Sequence, residues 1–328
     1  MRIRLLVVVS AGLLAAGCGL PFGGPTLPTT AELINGAADG FGKATGLEVQ
    51  GSFTQGTDNY TIDMQITPPS NAHITMTQNS LQIEANQVNG KVYYRGKAFV
   101  ASVLGTSSSG QQIAKAVGGR WFTSRGATPI DVSGFTDASK VKANFLNTLT
   151  VKRKDNVTVN GVNTAELTAD DYVLNISEAS PHRLVYLTTV AGKSVQQLTN
   201  AKLGFSNYNK DFALQTPTNV FDVDDKTTWP PEYFRVSISN SKCSDPCILS
   251  AVFQNDGGLT GATAPSTVTF TLTNKADNSL IGSCKVTIQP DVANGQKVTE
   301  SCSISNAAWT NFSGTYVYNA VVDNPSYD

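Results

Sequence analysis

The chain has 328 residues, enough for two domains of ordinary size. Its 24 basic and 25 acidic residues leave a formal net charge of -1, which excludes a general attraction to nucleic acid or to an acidic substrate. Charged residues make up only 15%, and Thr, Ser, Asn, Gly and Val abound, a usage that suits an exported, β-rich protein with many turns.

At the start of the chain, Arg2 and Arg4 precede an apolar run from Leu5 to Ala16, and the small residues Ala15, Ala16 and Gly17 lead into Cys18. This is the three-part form of an export signal. A helix that crosses a bilayer needs roughly 20 apolar residues. The run is ended sooner, by Gly17, Cys18 and Gly19 and then by "LPFGGPTLP". The order Leu14-Ala-Ala-Gly-Cys18 resembles the lipobox of bacterial lipoproteins, whose cysteine receives a diacylglycerol thioether and becomes the first residue of the mature chain. The chemistry agrees: small residues admit the backbone to a membrane-embedded peptidase, and a thiol is the best nucleophile available for alkylation. Each buried methylene of an acyl chain contributes ~0.8 kcal/mol, so two or three chains hold a protein to a membrane almost irreversibly. Residues 1–17 are therefore expected to be a lipoprotein signal peptide and residues 18–30, rich in Pro and Gly, a tether. Cys18 is the expected lipid attachment site. The mature chain is placed on the extracytoplasmic side of the cell membrane.

Next, "TTAELINGAADGFGKATG" sets Leu33, Ile34, Ala37, Ala38 and Phe41 at helical spacing, with Thr29 or Thr30 as N-cap and Gly46 as stop. The period then becomes two. Val49 and Phe53, Tyr60 to Ile66, Ile74 and Met76, Leu81 and Ile83, and Val92 and Tyr94 alternate with polar residues in short segments joined by turns. A helical break follows, in "TSSSGQQIAKAVGGRWF" and in "TDASKVKANFLNTL", where Val141, Phe145 and Leu149 are four apart. Strands resume in "TVKRKDNVTVNG", "VNTAELTA", "DYVLNISEA", "HRLVYLTTV" and "AKLGFSNYN". The predicted class is α+β: a curved antiparallel half-barrel sheet of about ten strands with helices covering its apolar face.

A helix after the tether, a meander ending in "VNGKVYYRG", a helical insertion with "GGRWF", the hairpin "VTVNGVNTAELT" and the late strand "PHRLVYLTTV", all behind a lipobox, resemble the LppX/LprG-type lipoproteins over roughly residues 31–223. Those are similar in fold to the LolA/LolB carriers. The resemblance implies a half-barrel whose helices close a hydrophobic cavity that takes up acyl chains. The alternating positions Ile62, Met64, Ile66, Ile74, Met76, Leu81, Ile83 and Tyr94 are expected to share the concave face, with Phe41 and Phe145 facing them from the helices. Two methionines there suit varied guests, because a thioether side chain is flexible.

The lipid-binding domain is predicted over residues 31–228. Pro230-Pro231 in "TTWPPEYF" break any strand or helix, and all cysteines but Cys18 lie beyond them. Residues 229–328 carry short strands at regular spacing, which suits an all-β immunoglobulin-like sandwich. In an oxidising compartment its four cysteines read as two disulfides. "SLIGSCKVTIQP" and "KVTESCSIS" flank the turn-rich "DVANGQ", so a hairpin folded at Ala293 sets Cys284 opposite Cys302 and leaves Cys243 to close a small loop with Cys247. A zinc site is disfavoured, because it needs thiolates kept reduced.

No enzymatic motif is present. His73 and His182 stand outside any pattern that pairs them with a nucleophile or metal, and Ser139 with Lys142 matches S-x-x-K without the motifs that must follow it. Asp222, Asp224 and Asp225 lack the glycine and distal glutamate of a calcium loop, and Lys152, Arg153 and Lys154 read as a charged strand edge. The sequence thus predicts a non-enzymatic, cofactor-free lipoprotein that binds or carries a lipid or other hydrophobic molecule, with the C-terminal domain as spacer or as the site of a protein partner. The alternative is a cell-surface sensor or scaffold that binds another protein and uses no ligand cavity.

Overall fold

The computed structural model of the chain describes residues 27–127, 129–146, 151–239 and 241–328. Cys18 and the apolar run before it lie outside the described residues, as does Leu149.

Helix α1 (Thr30–Gly42) begins at a reciprocal cap: the Glu32 N–H donates to the Thr29 hydroxyl at 3.2 Å, and the Thr29 N–H donates to the Glu32 carboxylate at 2.6 Å. Two N–H groups that a first turn leaves without partners are thereby satisfied. Leu33, Ile34, Ala37, Ala38 and Phe41 form the buried face. The helix ends at Gly42 and not at Gly46, whose role is a close approach: a Cβ there would lie 1.8 Å from the Lys210 carbonyl oxygen.

The meander follows as β1 (Leu47–Gln55), β2 (Asp58–Thr67), β3 (Asn71–Gln78), β4 (Leu81–Val88) and β5 (Lys91–Arg95), each antiparallel to the next. The helical break is α2 (Lys97–Leu104) and α3 (Ser108–Val117), then a short β6 (Trp121–Thr123) beside β5, then α4 (Ala138–Phe145). Next come β7 (Lys152–Val159), β8 (Val162–Thr168), β9 (Tyr172–Ser177), β10 (Leu184–Thr189), β11 (Ser194–Val195) and β12 (Leu198–Ser206), and β13 (Val220–Asp222) returns parallel to β6. All join one 13-stranded sheet, in the order β13-β6-β5-β4-β3-β2-β1-β12-β10-β9-β8-β7, with β11 on β12. Strands β7 to β12 do not extend the β5 end of the meander, where β6 and β13 lie. They attach through β12 to β1, the strand that began it. Helices α1 and α4 cover the apolar face, over a core that includes Phe41, Val49, Ile66, Leu174 and Leu203. The unit is mostly β, one large curved sheet with few helices, which agrees with the half-barrel expectation in outline.

The remaining strands are β14 (Tyr233–Ile238), β15 (Lys242–Cys243), β16 (Cys247–Asn255), β17 (Thr267–Asn274), β18 (Leu280–Thr287), β19 (Lys297–Ile304) and, after the short α5 (Ala307–Thr310), β20 (Tyr316–Asp323). They build two sheets, one in which β14, β15 and β19 flank β16 and one in the order β18-β17-β20. Leu249, Ala251 and Phe253 from the first and Val268, Phe270 and Leu272 from the second belong to one buried cluster. Cys243 is bonded to Cys247, and Cys284 to Cys302. The expected hairpin between β18 and β19 is corrected, however. β18 pairs with β17 and β19 with β16, so the Cys284–Cys302 bond, with Cα atoms 6.2 Å apart, ties the two sheets together. The crossover lets both alternating strands turn an apolar face to the shared core. Ile304 of β19 packs so closely on Gly282 of β18 that a Cβ there would lie 2.7 Å from its Cγ2.

A third cluster, with Val100, Val117, Phe122, Phe221, Trp229 and Tyr327, lies where the C-terminal strands meet the large sheet. Among the described residues no helix is long and apolar enough to cross a membrane.

Candidate functional site

Strand register explains how residues distant in sequence come to share one wall. Across the meander, Met64 lies opposite Ile74, Ile74 opposite Ala85 and Ala85 opposite Tyr94, while Ile62 faces Met76 and Met76 faces Ile83. With a side-chain period of two, these two rows point to the same face as Val49 and Phe53 of β1. That face is only partly filled. A cavity of about 710 Å³, partly open to solvent, lies against it, bounded further by Phe99 of α2, Ile130, Phe135, and Leu198 and Leu203 of β12. Among the described residues, its polar lining groups are the side chains of Gln55, Gln78 and Asp131 and the hydroxyl of Tyr94.

Of the residues that sequence analysis proposed for a ligand cavity, Ile62, Met64, Ile74, Met76, Ile83 and Tyr94 line this space. The others do not. Ile66 is fully buried at the end of β2, and Phe41 packs edge-on against Phe205 with ring centroids 5.5 Å apart. Phe145 stands one layer back, stacked on Phe135 at 6.1 Å, so that Phe135 presents the aromatic surface to the cavity in its place. Leu81 sits at the tip of the β3–β4 hairpin, opposite Gln78 and off the wall. Ala85 continues the alternation of β4, whereas Leu198 and Leu203 are five apart and reach the same wall only because the register of β12 shifts opposite Ser52 to Thr54. Phe99, Ile130 and Phe135 carry no such signal, since they come from helical and irregular segments whose placement depends on long-range contacts.

The electrostatics of the cavity are simple. Burial raises the Tyr94 phenol above its ordinary pKa, so it stays protonated, and its ring lies 5.4 Å from that of Phe99. At the lip, hydrogen bonds from Ser133, including its backbone N–H at 2.9 Å, hold the Asp131 carboxyl below the usual carboxylate range. At the hairpin end, Asn79 and Gln78 donate to Asp58 at 2.9 and 2.8 Å and lower its pKa in the same way. A second concavity, of about 460 Å³, lies among Gln50, Arg183, Asn207 and Tyr208. Its lining mixes polar and apolar groups, and the nearly wholly apolar cavity is the better candidate for a ligand site.

The remaining singled-out residues serve local structure. His73 lies 3.5 Å from Glu84, and His182 Nδ1 is 3.0 Å from the Ser177 carbonyl oxygen. Lys142 donates to Asn35 at 2.9 Å, away from Ser139 at the start of α4. Asp222 and Asp225 accept from the nearby N–H groups of Asp224 and Thr227, each at 3.0 Å, and Asp224 accepts from the Arg125 N–H at 2.6 Å. Lys152, Arg153 and Lys154 lie on β7, the edge of the large sheet, where Arg153 pairs with Asp155 at 2.6 Å. Among the described residues, no group of three or more His, Cys, Asp or Glu side chains is placed to hold a metal ion.

Neither a family model nor a curated protein matches the sequence. Among solved structures, the chain is similar to MucB, with 8% identity and a TM-score of 0.31 over 86% of this chain and 94% of that one. It is also similar to MucB in complex with MucA(peri), with 12% identity and a TM-score of 0.28 over 83% and 93% of the two chains. Likeness this distant assigns no family, and neither neighbour is one of the LppX/LprG-type lipoproteins expected from the sequence.

Proposed function

We propose that the first unit of the chain binds a lipid or other hydrophobic molecule in the cavity along β1 to β5, that a lipid on Cys18 anchors the protein to the outer side of the cell membrane, and that the C-terminal sheets, read as an immunoglobulin-like sandwich, act as spacer or docking module. The observation that carries this reading is the cavity itself. Protein interiors normally fill to a density near ~0.75. An apolar space of about 710 Å³ falls within the range of roughly 300–1,000 Å³ typical of ligand sites. Ile74→Trp tests it. If the space is a ligand site, the indole occupies it, and binding of a fluorescent acyl lipid is lost with little change in melting temperature. If the face is ordinary core, the same change overpacks it and destabilises the protein by about 1–3 kcal/mol.

The second reading, a scaffold that binds another protein, is favoured by Phe234, Val236 and Ile238 on β14 and Val317 and Val321 on β20, which are all at least 40% exposed. The neighbour solved with a protein partner is in line with this reading more than with the first, but a TM-score of 0.28 transfers no partner to the chain. Native mass spectrometry separates the two: co-purified lipid supports the first reading, and a bare mass with a co-isolated protein supports the second.

A further inference from the structure

The polar groups of the cavity bear on the class of its occupant, an inference that rests on the cavity reading above. Among the described residues, none of the lining side chains is Lys, Arg or His. At one end stand Gln55 and Gln78, beside the tips of the β1–β2 and β3–β4 hairpins. The Gln78 amide nitrogen donates one of its two hydrogens to Asp58 at 2.8 Å, which sets a carboxylate behind that end and leaves the amide able to bond a neutral polar group of a guest. The Asp131 carboxylate lies at the lip, beside Ile130. Lys140 bonds the Ser133 hydroxyl and its charge helps to keep Asp131 ionised, but neither Lys140 nor Asp58 is part of the lining. Between the ends, the Tyr94 hydroxyl has no hydrogen-bond partner among the described residues and is a donor for a carbonyl group. Ligand carboxylate or phosphate would bring negative charge beside the Asp131 carboxylate and toward that of Asp58 behind Gln78, with no cation among the described lining residues to pair it, and unpaired charge in a partly desolvated site is costly.

We infer that the occupant joins its apolar chain to an uncharged hydrogen-bonding end, such as an ester, amide or hydroxyl group, and that Asp58 and Asp131 select it against an anionic one. The test uses the purified full chain and three chain-labelled fluorescent probes with the same acyl group: a monoacylglycerol, the free fatty acid, and a lysophospholipid with an anionic head. At neutral pH the glycerol ester should bind about tenfold more tightly than either anion. Asp131→Asn, at the exposed lip, should narrow that preference, and Asp58→Asn with Asp131→Asn should bring it to within about twofold. Should the fatty acid or the lysophospholipid bind as tightly as the ester, the inference falls and the cavity reading stands. An undiminished preference in both variants overturns the selective role of the two carboxylates. Binding of none of the three probes overturns the cavity reading and this inference together.

Discussion

Gln87 is a buried polar side chain on β4, and both ends of its amide are engaged. Its nitrogen donates to the carbonyls of Ser70 and Ile130, and its oxygen accepts from the Ile130 N–H at 2.6 Å. One side chain thus fastens to the sheet the segment that supplies Ile130 and Asp131 to the cavity. Gln87→Leu keeps the volume and leaves both backbone groups of Ile130 without that partner, so we expect a loss of about 1–3 kcal/mol in chemical denaturation. Acyl-probe binding should weaken as well, because one wall is no longer held. In the sequence, "ANQVNG" reads as the end of a strand followed by a turn, and nothing marks this glutamine apart from its neighbours. Its partner lies 43 residues away, and pattern within one strand is blind to it.

At the scale of elements, periodicity was informative wherever a strand buries one face. The alternation of Ile62 to Ile66, Ile74 and Met76, and Ile83 predicts both the strands and their shared side, because antiparallel pairing through short turns leaves little freedom of register. The same logic misplaced β18 and β19. Both alternate and a turn-rich stretch joins them, but a hairpin and a crossover between sheets need the same local pattern. The choice is made by β16 and β17, their actual neighbours. The cysteines pair as expected for a different reason, and that reason changes what the bond does: it pins one sheet against the other and not two strands side by side. Its loop has a sequence separation of 18. By the chain-entropy relation, replacing Cys284 and Cys302 with Ala should therefore lower stability by on the order of 3 kcal/mol. Thermal unfolding followed through the aromatic signals of Trp309 and Tyr316, which pack against that core, measures the loss.

Across the whole molecule, the C-terminal strands are not merely strung after the large sheet. The buried Arg120 donates to the carbonyls of Val220 and Thr228 at 3.0 and 2.6 Å, and the Tyr327 hydroxyl donates to the Pro230 carbonyl at 3.0 Å, so the end of the chain returns to the junction. Under the proposed function, a lipid on Cys18 holds the assembly to a membrane. With Cys18→Ala, acyl labelling should vanish, and the protein should either remain uncleaved in the membrane fraction or pass into the soluble one. Labelling that persists would refute attachment at that position. The pairing of β1 with β12 has a further consequence, for the time course of folding. Gln50 sits opposite Gly204, and Gly51 opposite Leu203. Until the chain has been delivered that far, β1 has only β2 beside it and its other edge is open. Such distant closure is slow compared with the zipping of neighbouring hairpins. The nascent protein therefore passes through a stage in which its meander has formed but Leu198 and Leu203 are not yet in position, and the hollow comes into being only when the strand emerging last in that sheet wall meets the one that emerged first.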